Sequence, residues 1–148
     1  MSSKEAEDKH LIDSDVFISY IKADNLIDHS ESVVNQILEG EIRAYVSSML
    51  YEDVTTGLRS KGLPITEVAQ VILSIASIEH TPLPLTPAVT YNALMLYKKY
   101  GGSRKLGYFD AYHVATAKIH DLPLVTSDNY INKNRMELGL TAIDLRSI

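Results

Sequence analysis

Short apolar runs alternate along the chain with longer segments in which apolar residues recur every three or four positions. Residues 11–13, LID, read as a first strand, followed by a helix whose apolar side includes Phe17, Tyr20 and Ile21, with Ser14 or Asp15 placed to cap it. Residues 30–39, SESVVNQILE, carry a serine cap, an early Glu31 and apolar Val33, Val34, Ile37 and Leu38, which predicts a helix ended by Gly40. RAYVS at 43–47 predicts a strand, and SMLYEDVTTGL resumes helical spacing through Leu50, Val54 and Leu58. A largely buried helix over 65–77 follows a connection punctuated by Gly57, Gly62 and Pro64. HTPLPLTP at 80–87, with three prolines, is expected to be a loop or a sheet edge. Helices are then predicted over about 87–100 and 108–120, joined by GGSRKLG. LVTS reads as a strand running into an acid, and a small helix and a last strand, TAIDL, complete the pattern.

Apolar strands alternating with helices predict an α/β fold: a mostly parallel sheet covered on both faces. The 148 residues fit one domain, 1–148, with residues 1–10 expected to be a frayed tail. Cysteine is absent, which excludes disulfides, thiolate zinc sites and cysteine nucleophiles. The first ten residues, MSSKEAEDKH, lack the apolar core of a signal peptide, so a soluble cytoplasmic protein is expected. The net charge of −5 opposes a simple electrostatic coat for nucleic acid, but the chain is polarised. Residues 1–55 hold 12 acids against 4 bases, whereas residues 56–148 hold 7 against 10. Within the basic part, Lys98, Lys99, Arg104 and Lys105 fall together in KKYGGSRK, either as a solvated loop or as a rim that contacts phosphates.

In open parallel sheets chemistry collects at the carboxyl ends of the strands, which makes the position of the acids informative. Asp13 ends the first strand and Asp128 follows the LVTS strand. Glu52 and Asp110 lie near the starts of two helices expected to face the same edge. Four carboxylates converging on one place would repel strongly without a divalent cation, and an all-oxygen cluster suits Mg²⁺ or Mn²⁺. Such an ion can activate water for in-line attack on a phosphodiester. Each acid also has a plain structural explanation: Asp15 as a helix cap, Asp110 as a partner of the helix dipole, Asp128 as a turn residue.

LIDSDVFI, a glutamate in SSMLYEDVTTGL, FDAYHVATA and VTSDNYI resemble, in order, the four motif segments of PIN-domain ribonucleases, in particular the VapC-type toxins of VapBC toxin–antitoxin modules. The resemblance runs from about residue 11 to residue 145, and FDAYHVATA is its most specific part. It implies a three-layer α/β/α sandwich and Mg²⁺- or Mn²⁺-dependent endonucleolytic cleavage of RNA. By the same resemblance Asp13 and Asp110 are the principal catalytic and metal-binding acids, with Glu52 and Asp128 completing the quartet. Thr126 or Ser127 supplies a hydroxyl near the fourth acid, and Asp15 is a support rather than a ligand. His113 matches the pattern and is expected to be a satisfied structural group. An antitoxin that inserts an arginine into the acidic groove and a homodimer are the implied partners.

Two other classes share parts of this pattern. The DSD triplet after a strand also resembles a haloacid-dehalogenase-type phosphatase with Asp13 as nucleophile, although Lys118 is a poor candidate for its lysine and the chain is short. A PIN-like module that binds without cleaving, or an RNA-processing PIN nuclease without an antitoxin, would carry the same segments.

Overall fold

The computed structural model describes residues 8–148. Five strands, β1 (Lys9–Ile12), β2 (Arg43–Ser47), β3 (Thr81–Leu83), β4 (Leu124–Thr126) and β5 (Ala142–Asp144), form one sheet in the order β3-β2-β1-β4-β5. Every pairing is parallel, with Leu11 opposite both Tyr45 and Leu124, and Thr126 opposite Asp144. The chain thus builds outward from β1 to one edge, then crosses back to β4 on the other side of β1. The gap between the carboxyl ends of β1 and β4 is the switch point at which such sheets bind ligands.

The helices are α1 (Ser14–Lys22), α2 (Ile27–Leu38), α3 (Leu50–Ser60), α4 (Ile65–Ala76), α5 (Pro87–Tyr100), α6 (Tyr108–His120), α7 (Asn129–Lys133) and α8 (Arg135–Leu138), and a 3-10 turn at Leu145–Ser147 follows β5. Side chains alternate across a strand, so Leu11 and Leu124 enter one core while Ile12 and Val125 enter the other. The first core unites α1 to α4, through Val16, Phe17, Val33, Val34, Leu50, Val54, Leu58, Val71 and Ile75. The second packs α5 and α6 on the opposite face, where Ala111, Val114, Ala115 and Ala117 bring α6 close to the sheet. The result is the expected three-layer α/β/α sandwich.

Four local expectations change. The helix expected to be largely buried, α4, buries only Val68, Val71 and Ile75 and leaves Ile65 and Leu73 exposed, because it packs on the core by one face alone. Lys9 and His10 belong to β1, so the expected frayed tail does not extend to residue 10; residues 1–7 lie outside the described residues. The second helix begins at Ile27 rather than at Ser30, because the Asp24 carboxylate accepts from the Leu26 N–H and turns the chain earlier, while Ser30 is buried and donates to the Ile27 carbonyl. The cap of α1 is Asp13, whose Oδ1 accepts from the Ser14 N–H at 2.7 Å, rather than Ser14 or Asp15. Extended backbone at Asp13, φ −74° and ψ 156°, lets the last residue of the strand act as the first of the helix.

Candidate metal centre

Asp13 is held at the switch point from both sides. Its Oδ1 caps α1, and its Oδ2 accepts from the buried Thr126 hydroxyl at 2.6 Å, tying β1 to β4. The carboxylate is almost wholly buried, and burial raises its pKa against the opposing pull of His113 and Thr126. Asp110, in the first turn of α6, sits in the same depression; burial and repulsion from Asp13 push its pKa up to about 8.

His113 lies one turn beyond Asp110 and is fully buried. Its Nε2 lies 2.8 Å from Asp53 Oδ2 and 3.6 Å from Asp13 Oδ1, while its Nδ1 has no partner among the described residues. Burial pulls the imidazole pKa down, but Asp13 and Asp53 outweigh it and carry the value to about 9. Asp53 Oδ2 also accepts from the Ser14 hydroxyl at 2.8 Å. Donor atoms of Asp13, Asp53, Asp110 and His113 all lie within 4.8 Å of one another.

The third acid of this cluster is therefore Asp53, not Glu52. Leu50, Val54 and Leu58 turn one face of α3 into the core; Asp53 borders that face, and Glu52 projects into solvent on the far side. The spacing of those three apolar residues was the signal that separates the two acids. His113, expected to be a satisfied structural group, lies in the same cluster with its Nε2 engaged by Asp53.

Asp15 accepts from the Ser127 N–H at 2.8 Å and the Ser127 hydroxyl at 2.5 Å, fastening α1 to the end of β4. Its Oδ1 is buried without a partner among the described residues, and burial and then Asp13 raise its pKa to about 7. Asp128 caps α7 through the Ile131 N–H at 2.9 Å, and its own N–H donates to Thr126 Oγ1 at 3.0 Å. It stands outside the four-donor cluster, near enough for its charge to raise Asp15 and Asp110. Lys98, Lys99, Arg104 and Lys105 are all exposed at the end of α5 and in the loop after it.

The donor set fits a divalent cation. The neighbouring carboxylates raise the proton affinity of Asp13 and Asp110, and an ion would replace that repulsion with attraction. The hydroxyls of Thr126 and Ser14 already orient Asp13 and Asp53, the arrangement by which outer groups fix the ligands of a metal.

An open parallel sheet with an acidic, cation-fitting cradle at its switch point defines the class. The model of the PIN domain matches residues 10–135, and the chain belongs to that family. No curated protein matches the sequence. Among solved structures, VapBC2 from Rickettsia felis bound to a DNA fragment from its promoter shares the fold with a TM-score of 0.67 and 15% identity, over 92% of this chain and 98% of that one. VapBC-1 from nontypeable Haemophilus influenzae matches with a TM-score of 0.65 and 16% identity, over 93% and 98% of the two chains. VapBC-5 from Mycobacterium tuberculosis, a member of the VapBC family of toxin–antitoxin systems, gives 0.58 and 17%, over 93% and 98%. At these identities the likeness is one of fold.

Membership of the PIN family displaces the dehalogenase-type phosphatase. The geometry agrees: both Asp13 oxygens are engaged and buried, a poor arrangement for a nucleophile.

Proposed function

We propose that this PIN domain is a Mg²⁺- or Mn²⁺-dependent endoribonuclease and the toxin of a cytoplasmic toxin–antitoxin pair. The observation that carries the reading is the convergence of Asp13, Asp53, Asp110 and His113 within 4.8 Å at the switch point of the sheet. A bound divalent ion would supply Lewis-acid stabilisation of charge on a phosphodiester and lower the pKa of water there. Asp13, Asp53 and Asp110 are the oxygen donors, a set that suits Mg²⁺ or Mn²⁺, and His113, whose Nε2 engages Asp53, positions that carboxylate. Thr126 and Ser14 hold Asp13 and Asp53 in place, Ser127 holds Asp15, and Asp128 flanks the depression with a further charge. Glu52, exposed on α3, has no part in this version of the quartet.

The antitoxin partner is supported by the solved structures of similar fold, which come from VapBC systems, and by the negative depression, which suits an arginine from the partner. A homodimer belongs to the same reading, supported by the exposed apolar stripe of Tyr91, Leu94 and Met95 on α5. Among the described residues no helix is long and apolar enough to cross a membrane.

The test is cleavage of structured RNA by the purified chain with Mg²⁺ or Mn²⁺, beside Asp110→Asn. The substitution removes a charge and little volume, so a folded protein with cleavage lowered at least about 100-fold is expected, the scale of losing a group that acts in the transition state. Undiminished cleavage by a folded Asp110→Asn protein would refute the mechanism, and a folded wild-type chain that binds RNA and metal without cutting would be a binding module.

A further inference from the structure

Gly57 stands inside α3, where glycine is the least favourable residue after proline. Neither usual reason for a helical glycine holds. Its φ is not in the positive range, and a Cβ there would meet nothing within 4 Å. The backbone needs no special freedom at this point, and no neighbour among the described residues needs the room. Position gives the space a use. Asp53, Gly57 and Lys61 follow one another at four-residue steps along one side of α3 and its cap, about 6 Å apart along the axis. They line a hollow of about 190 Å³ between α3 and α1, with Ile18 of α1 on the other wall and the buried Val54 and Leu58 as an apolar floor. The hollow opens from the acid cluster itself. Asp53 and Asp15 border it at one end, where the Ser14 hydroxyl ties α1 to Asp53, and the Asp53 side chain stays 21% exposed although His113 engages its Oδ2. Side chains on a helix lean toward its amino end, so any side chain at position 57 would lie toward Asp53 and narrow that opening.

We infer that this hollow seats one nucleotide of an RNA substrate, the base and ribose next to the phosphate at the acid cluster, and that Gly57 keeps the seat open and so governs which base lies beside the cut. The inference rests on the ribonuclease reading above and extends it to the choice of cleavage position. The size fits a part of a ligand rather than a whole one: pockets that enclose a small molecule hold about 300–1,000 Å³, whereas this one suits a single ring of a substrate anchored elsewhere. The order of groups along the hollow fits as well. A cation-binding cluster, an apolar floor and then Lys61 match a phosphate, a base with its sugar and the following phosphate. A hollow walled on two sides discriminates among bases by fit, as apolar pockets do among substrates that differ by a small group.

The test exchanges Gly57 for alanine and for leucine. Both are better helix formers, so on structural grounds alone each variant should melt at or above the wild-type temperature and cut RNA unchanged. With a base seated in the hollow, Gly57→Leu should instead lower kcat/KM at least about 10-fold and Gly57→Ala about threefold or more, the scale of a misfitting group in an apolar pocket. Sequencing the fragments cut from a randomised RNA should show a base preference beside the cut that Gly57→Leu alters at that position alone. Anisotropy of a short labelled RNA, with Ca²⁺ in place of Mg²⁺, reads affinity apart from cleavage, and Gly57→Leu should weaken it by a similar factor. Thermal unfolding shows which variants are folded, and Gly57→Ala carries the test if leucine prevents folding. A folded variant that binds and cuts RNA as wild type does overturns the seat, as does a lowered rate with base preference unaltered. A variant that changes only the sedimentation of the chain also overturns it, since the hollow would then belong to a contact between copies. Wild type that binds RNA without cutting it, with binding lost in Gly57→Leu, would sink only the nuclease. Cleavage by wild type and equal cleavage by Gly57→Leu would sink this inference alone, and a wild type that neither binds nor cuts RNA would sink both.

Discussion

Successive side chains on a helix point about 100° apart, so two adjacent acids on α3 face different surroundings. Asp53 touches Ser14 and His113, whereas Glu52 faces water. Asp53→Asn is therefore expected to lower RNA cleavage at least about 100-fold, while Glu52→Gln stays within about twofold of wild type, in the same initial-rate assay. The reverse order would move the third ligand back to Glu52. A second contrast lies in the DSD triplet. Asp13→Asn removes a donor and should abolish cleavage; Asp15→Asn keeps an oxygen for the Ser127 N–H and hydroxyl and should reduce it less than about tenfold. The sequence made Asp13 and Asp110 legible because one ends an apolar strand and the other opens an alanine-rich helix. It hid the choice between Glu52 and Asp53, which differ by one position in a helix whose register had to be read from Leu50, Val54 and Leu58. His113 was hidden for another reason: its value depends on a partner 60 residues away.

At the scale of elements, the site depends on how α6 begins. Gly107, the residue before its first turn, has ordinary φ of −71°, so its lack of a side chain serves space rather than backbone freedom. A Cβ there would lie 2.8 Å from Asp110 Oδ2. Gly107→Ala should leave the fold intact yet displace the Asp110 carboxylate, giving a protein that unfolds within a few degrees of wild type but loses most of its Mn²⁺-induced thermal shift. A full shift would show that Asp110 has room to turn aside. The strands and most helices followed from alternation and apolar spacing, since those patterns record burial directly. Ends were harder to read, because caps depend on which carboxylate the folded backbone can reach: Asp13 rather than Asp15 at α1, and the Asp24 turn before α2.

Across the whole molecule, the acid cluster links folding to protons. Asp15 at about 7, Asp110 at about 8, His113 at about 9 and a raised Asp13 all bind protons more tightly folded than unfolded. Between about pH 4, the ordinary carboxylate value, and pH 9 the native state therefore carries more protons than the unfolded chain, and stability must fall as pH rises. The sign is the same for the acids and the histidine, because each pKa is raised. The metal-free protein is expected to melt at its highest temperature near pH 5 and at progressively lower ones toward pH 9. A divalent ion competes with those protons for the same oxygens, so its stabilising effect should grow over the same range. Melting curves at pH 5, 7 and 9, with EDTA or millimolar Mn²⁺, test both halves. The two curves should diverge with pH, and Asp110→Asn should flatten the metal-free one by removing a titrating group from the depression. A Mn²⁺ shift largest at pH 5, or a metal-free melting temperature that rises toward pH 9, would mean that the buried carboxylates do not govern stability and that the cation is held elsewhere.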